Sequence, residues 1–188
     1  MEKNAIHKAL YNSPIWEVLT YLVAHPDQPL RGSDLVKSLS HISKSAIYNA
    51  LRVLEKIGEV TQEKPKEYAL NMDSAGLHSL MRFHHETLLQ PLVKNLSGLT
   101  LKIILFGSRA QGNYNSDSDF DLFVVTSHAD DVRRIIGKNN LADRIQLIIK
   151  TPEEWIDLHE RDPELYQSLR KGIVLWDQNL KSVSKRRG

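Results

Sequence analysis

The stretch Leu101–Val125, LKIILFGSRAQGNYNSDSDFDLFVV, decides how the chain is read. Leu101 to Phe106 is a mostly apolar, isoleucine-rich run long enough for one buried strand. Gly107-Ser108 breaks it, and Gly112 closes the short segment that follows. A polar turn, Asn113 to Ser118, leads into Asp119-Phe120-Asp121 and a second strand, Leu122 to Val125. Alternation along an extended chain turns Asp119 and Asp121 the same way and sends Phe120 and Leu122 into a core. Two adjacent carboxylates repel each other, and a divalent cation between them relieves that repulsion. A Gly-Ser turn offers bare backbone N–H groups and a hydroxyl, which suit a phosphate. A phosphate cradle facing an acid pair points to metal-assisted phosphoryl chemistry.

The motif reads Gly107-Ser108-Arg109-Ala110-Gln111-Gly112, five residues, then Ser118-Asp119-Phe120-Asp121-Leu122. It resembles the signature of the polymerase-beta-type nucleotidyltransferase superfamily, Gly-Ser-x-Ala-x-Gly and Ser-Asp-x-Asp-Leu at that spacing. The resemblance implies an α/β (α+β) nucleotidyltransferase fold with a mixed sheet. It implies catalytic, metal-binding roles for Asp119 and Asp121, which would hold Mg²⁺ (or Mn²⁺). Gly107, Ser108 and Arg109 become the nucleotide-binding set, with the first two on the terminal phosphates and Arg109 offset against phosphate charge. The implied reaction moves a nucleoside monophosphate from a nucleoside triphosphate to an acceptor and releases pyrophosphate. In that superfamily a later strand carries a third metal-binding carboxylate. Aligning Ile145-Gln146-Leu147-Ile148 with it puts Gln146 at the acidic position. Glutamine is a neutral, weak ligand and cannot act as a base. Asp143 falls on the opposite face, and Asp117 is the nearest helper to the pair.

The bulk properties narrow the setting without naming a partner. With 188 residues, 41% hydrophobic and 26% charged, the chain has room for one large domain or two small ones with real cores. No apolar run reaches membrane-span length, and the start MEKNAIHKAL lacks the apolar core of a signal peptide. The absence of cysteine excludes a disulfide framework and a thiolate zinc site. These features predict a cytoplasmic protein with no membrane partner. A net charge of +2 is too small to identify a ligand, so its distribution matters more.

Upstream, Ser13-Pro14 opens a helix with Ile15, Trp16, Val18, Leu19, Leu22 and Val23 on its apolar face. A short second helix is expected over Asp34–Leu39, and Ser43 caps a third. That third helix turns Ile47, Ala50, Leu51, Leu54 and Ile57 inward and ends at Gly58. Glu59–Glu63 and Glu67–Leu70 read as a hairpin with Lys64-Pro65-Lys66 at its tip. Residues 13–71 resemble a winged helix-turn-helix domain, which implies duplex DNA as a partner. Lys44, Ser45, Tyr48, Asn49 and Arg52 would face the major groove, and Lys64 and Lys66 the neighbouring phosphates. Winged domains also serve as protein-binding or dimerisation modules.

Residues 74–98 read as a connecting helix that Pro91 kinks or splits, and as a candidate homodimer surface. His78, His84 and His85 lack a further ligand at zinc-site spacing, so they read as packing or surface residues. After the acidic strand come a helix, Asp130–Gly137, and a strand, Arg144–Lys150. Two more helices and a strand, Ile173–Trp176, follow. Lys181, Lys185, Arg186 and Arg187 form a basic tail. The expected domains are 1–72 (winged), 73–98 (connector), 99–178 (nucleotidyltransferase) and 179–188 (tail).

The acceptor is not legible. Small stand-alone relatives act on proteins or RNA, often as antitoxins paired with a helical nuclease, which would make a toxin-like protein a partner. Two other classes compete with an active transferase: a nucleotide-sensing transcriptional regulator, catalytically weak or inert, and an antitoxin-type protein-binding module. Gln146 and the fused N-terminal domain favour these.

Overall fold

The computed structural model describes residues 13–179. The basic tail therefore lies outside the described residues. The chain divides into two compact units, residues 1–80 and 81–188. Helices and strands alternate through both, and no helix among the described residues is long and apolar enough to cross a membrane.

Among the described residues, the first unit holds three whole helices, the start of a fourth and a small antiparallel sheet. Helix α1, Pro14–Val23, starts with proline in its first turn and buries Val18, Leu19, Leu22 and Val23. Strand β1 is only Leu30–Arg31, and helix α2 follows over Gly32–Ser38. Helix α3, Lys44–Lys56, is capped by Ser43, whose hydroxyl accepts from the Ala46 amide at 3.3 Å. It buries Ile47, Ala50, Leu51 and Leu54 and packs on α1. Ile57 does not face inward as expected. It caps the helix and is 61% exposed, because the chain leaves the helical path at Gly58, which has φ +83°. Strands β2, Val60–Lys64, and β3, Glu67–Leu70, form the hairpin, and β1 pairs with the outer side of β3.

Helix α4, Ala75–Leu96, contains the division between the units, and Pro91 does not split it. Proline removes one helical donor and crowds the preceding turn. Here the exposed Pro91 is flanked by Leu89, Leu92, Val93 and Leu96, all buried in the core, and that packing holds the helix together. Leu88 is 41% exposed, and its neighbour Leu89 takes the core place.

The second unit is built on a mixed four-stranded sheet. Strands β4 (Lys102–Phe106), β5 (Phe120–Val125), β6 (Ile145–Lys150) and β7 (Ile173–Asp177) stand in the order β6-β5-β4-β7. β5 and β6 run parallel, and the other pairs are antiparallel. The parallel pair needs a crossover, which helix α6, Ala129–Gly137, supplies. Alternation along β5 fills both faces. Phe120, Leu122 and Val124 join the cluster with α4 and α6. Phe123 and Val125 pack against Leu158, Leu169, Trp155 and Tyr166. The C-terminal part has three short helices rather than the expected two: α7 (Pro152–Ile156), α8 (Leu158–Arg161) and α9 (Pro163–Arg170). Thr151 starts α7 with a reciprocal capping box to Glu154. Asp162 caps α9 just before Pro163, and the single residue Asp157 interrupts the helical path between α7 and α8.

Candidate active site

The site sits where β4 ends and β5 begins. In the antiparallel register Phe106 pairs with Asp121, so the residue after Phe106 starts its turn beside that aspartate. Gly107 has φ +71°, and a Cβ built on it would collide with the Asp121 carboxylate. Both the backbone conformation and the close approach demand glycine there. A one-turn helix, α5 (Gly107–Gln111), follows and ends at Gly112, which has φ +78° and donates its N–H to the Ser108 carbonyl. Ser108 is half-buried on the first turn of α5.

The carboxylates differ in setting. Asp119 is exposed, and Asp121 is half-buried at the start of β5. Burial, and then the charge of Asp119, raise the Asp121 carboxyl above the usual carboxylate range, while Arg109 works against the rise. Asp117 is exposed on the preceding turn, its amide donating to Asn115 Oδ1 at 3.1 Å. Ser118 Oγ also donates to that oxygen, at 2.9 Å, which knits the turn.

Gln146 stands directly beside Asp121. The two are register partners in the parallel β5–β6 pair, so their side chains leave the sheet on the same face. β6 is an edge strand and Gln146 is exposed. Asp143 lies in the turn before β6, also exposed. Among the described residues there is no cluster of three or more His, Cys, Asp or Glu side chains able to hold a metal ion. The site is a two-acid site with an amide at its flank.

Arg109, expected beside phosphates, points inward and is 4% exposed. Its Nε and Nη2 both donate to the Ser118 carbonyl, at 2.8 and 2.6 Å. Its Nη1 donates to His85 Nε2 at 3.1 Å, and its guanidinium carbon lies 4.3 Å from the Phe120 ring centre and 4.6 Å from that of Tyr114. His85, on α4, donates from Nδ1 to the Arg109 carbonyl at 3.1 Å. Sequence reasoning missed this role because a histidine and an arginine 24 positions apart carry no shared pattern. It also missed Arg144, whose Nη2 donates to the Ser116 carbonyl at 2.6 Å.

On the first unit, Lys44, Ser45, Asn49 and Arg52 are exposed on α3, and Arg52 donates to Asn49 Oδ1 at 3.3 Å. Tyr48 is half-buried, and a Cβ on Gly32 would fall 2.7 Å from its ring. Lys64 and Lys66 are exposed on the hairpin, with Lys64 Nζ 3.9 Å from Glu67 Oε2.

Comparison with known proteins shows what this part of the chain is similar to. Residues 91–181 match the polymerase beta, nucleotidyltransferase family, so this span is a nucleotidyltransferase-type domain. A solved structure from Sulfolobus solfataricus, assigned provisionally as a nucleotidyltransferase, is similar over 58% of this chain and 95% of its own, at 16% identity and a TM-score of 0.37. No curated protein matches the chain.

Proposed function

We propose that the nucleotidyltransferase domain binds a nucleoside triphosphate with Mg²⁺ between the Gly107-Ser108 turn and the Asp119/Asp121 pair, and that it transfers nucleotides slowly at best. The observation that carries this reading is the packing of Gly107 against the Asp121 carboxylate, which sets the phosphate turn beside the acids. The donor set fits the ion: Mg²⁺ is held by one or two carboxylates together with substrate phosphates and its own waters, not by an all-protein cage. When bound, it would neutralise charge on the triphosphate and on the raised Asp121 carboxyl. Ser108 contributes its hydroxyl and the turn its amides to the terminal phosphates. Gln146 supplies an amide where an acid would take up a proton or bind a second ion, so the acceptor hydroxyl is left poorly activated.

Calorimetry on the full chain with ATP and GTP, with and without Mg²⁺, tests this. The double substitution Asp119→Asn, Asp121→Asn should abolish the Mg²⁺-dependent part of binding, and retention of that part sinks the assignment. Labelled nucleotide incubated with cell extract then asks whether a protein or a nucleic acid becomes labelled.

The sensor reading has its own support, the pairing of Gln146 with Asp121 and the two-acid donor set. In it, residues 13–71 act as a winged DNA-binding module whose ligand state reflects nucleotide. The exposed Lys44, Asn49, Arg52, Lys64 and Lys66 support duplex binding through phosphate contacts. If the full chain binds no duplex at low salt, this module is a protein-interaction surface, and an antitoxin-type role with a protein partner takes precedence.

A further inference from the structure

Arg109 is a buried cation with no carboxylate within ion-pair distance among the described residues. Burying a charge is unfavourable unless hydrogen bonds and nearby dipoles compensate it. Here the contacts that compensate it are one carbonyl, one imidazole lone pair and the faces of two rings, with the Asp119 and Asp121 carboxylates acting at longer range. The location of those partners is informative. Arg109 directly follows Ser108 of the phosphate turn, and the Ser118 carbonyl directly precedes Asp119 of the acid pair. One side chain therefore ties the two halves of the site across the loop that separates them.

His85 makes the tie rigid. It is 1% exposed and packs edge-on against Tyr114 and Phe120, with ring centres 4.5 and 5.4 Å away. The Arg109 carbonyl can only accept, so the proton is on Nδ1, and Nε2 is left as the acceptor that a guanidinium requires. The neutral ring matches both partners at once. Burial, against the pull of that carbonyl, lowers its pKa to about 3, which keeps it neutral at physiological pH.

We infer that His85 and Arg109 are positioning residues: together they hold the acid-bearing turn, residues 113–119, at the distance from the Gly107-Ser108 turn that a metal-bound triphosphate must span. This rests on the nucleotide-binding reading above. Neither side chain need touch the nucleotide.

The test uses the full chain with Mg²⁺-ATP and Mg²⁺-GTP as probes, and amide hydrogen exchange of residues 113–119 without nucleotide. The double substitution His85→Leu, Arg109→Met removes both polar partners, so no lone charge is left buried. It should still fold, with a lower melting temperature because the Arg109 and Ser118 carbonyls lose their donors, and should lose about tenfold or more in Mg²⁺-dependent affinity, the worth of one hydrogen bond to a charged phosphate when the turn that makes it is displaced. Its turn amides should exchange faster. His85→Gln can donate to the Arg109 carbonyl and accept from the guanidinium, so it should keep affinity and slow exchange. If the double variant does not fold, Arg109→Lys, which keeps the charge but loses the fork, carries the same expectation. Wild-type affinity or unchanged exchange in the folded variant overturns the brace. Absence of Mg²⁺-dependent binding by the wild type overturns the nucleotide reading and the brace with it.

Discussion

At the residue scale the decisive position is Gln146. It shares a face with Asp121, and its amide is neutral where the resembled superfamily has an acid. A correctly placed general base is worth roughly 10²–10⁴ in rate. Gln146→Asp should therefore raise nucleotide transfer by a large factor, or create it, while Mg²⁺-nucleotide affinity changes little. Single-turnover assays with labelled nucleotide decide the matter. Rapid transfer by the wild type would instead assign the third role to another carboxylate, Asp117 first. His85 gives a second expectation at this scale. Its folded pKa of about 3 lies below the ordinary value of 6.5, so the unfolded chain binds a proton between those values and the native chain does not. Stability contributed by the neutral ring is complete above pH 6.5 and is lost as pH falls toward 3. The loss from this group between pH 7 and pH 4 is on the order of 3 kcal/mol. Urea unfolding at the two pH values should show a smaller difference for His85→Gln than for wild type.

At the element scale the hairpin tip stands out. Lys64-Pro65-Lys66-Glu67 has proline second and a positive φ, +67°, at Lys66 in third place, the pattern of a type II turn. That third place favours glycine, and a side chain there costs on the order of 1 kcal/mol. The Lys66 carbonyl also accepts from the Gly32 amide at 3.0 Å, so the turn is anchored to α2. Lys66→Gly should raise the melting temperature and, if Lys66 contacts a phosphate, weaken duplex binding and reduce the salt slope by about 0.9. Opposite signs in the two measurements separate a binding role from a structural one; unchanged salt dependence removes Lys66 from the DNA set. Helices α1, α3 and α6 are legible because apolar period, caps and length agree there. Pro91 is misjudged from sequence because the force that keeps α4 whole is tertiary packing, which local rules do not contain. The two residues of β1 carry no periodicity at all and exist only through their pairing with Tyr68 and Glu67.

At the scale of the whole molecule, legibility follows sequence separation. The β4–β5 hairpin, with its Gly-Ser turn and its two aspartates, lies within Leu101–Val125, and its fold is readable because every contact that defines it is local. The register of Gln146 against Asp121 spans the crossover through α6, and only the motif alignment points to it. The tie between His85 and Arg109 runs from α4 to the short helix α5, and a buried arginine contradicts the ordinary expectation that such residues face solvent. No composition or spacing rule reaches it.

The edge position of β6 has a consequence for how this chain can vary. An edge-strand side chain exposed to solvent is held by few neighbours, and exchanges at such places usually alter stability by no more than ~0.5 kcal/mol. Gln146 is such a place, although it lies beside the half-buried Asp121. A single base change turns a glutamine codon into a glutamate codon, and glutamate has nearly the same shape. The inherited sequence is thus one mutational step from a third carboxylate beside Asp121; packing offers that step little resistance, and what opposes it is repulsion from the two acids already there, which a bound divalent cation would relieve.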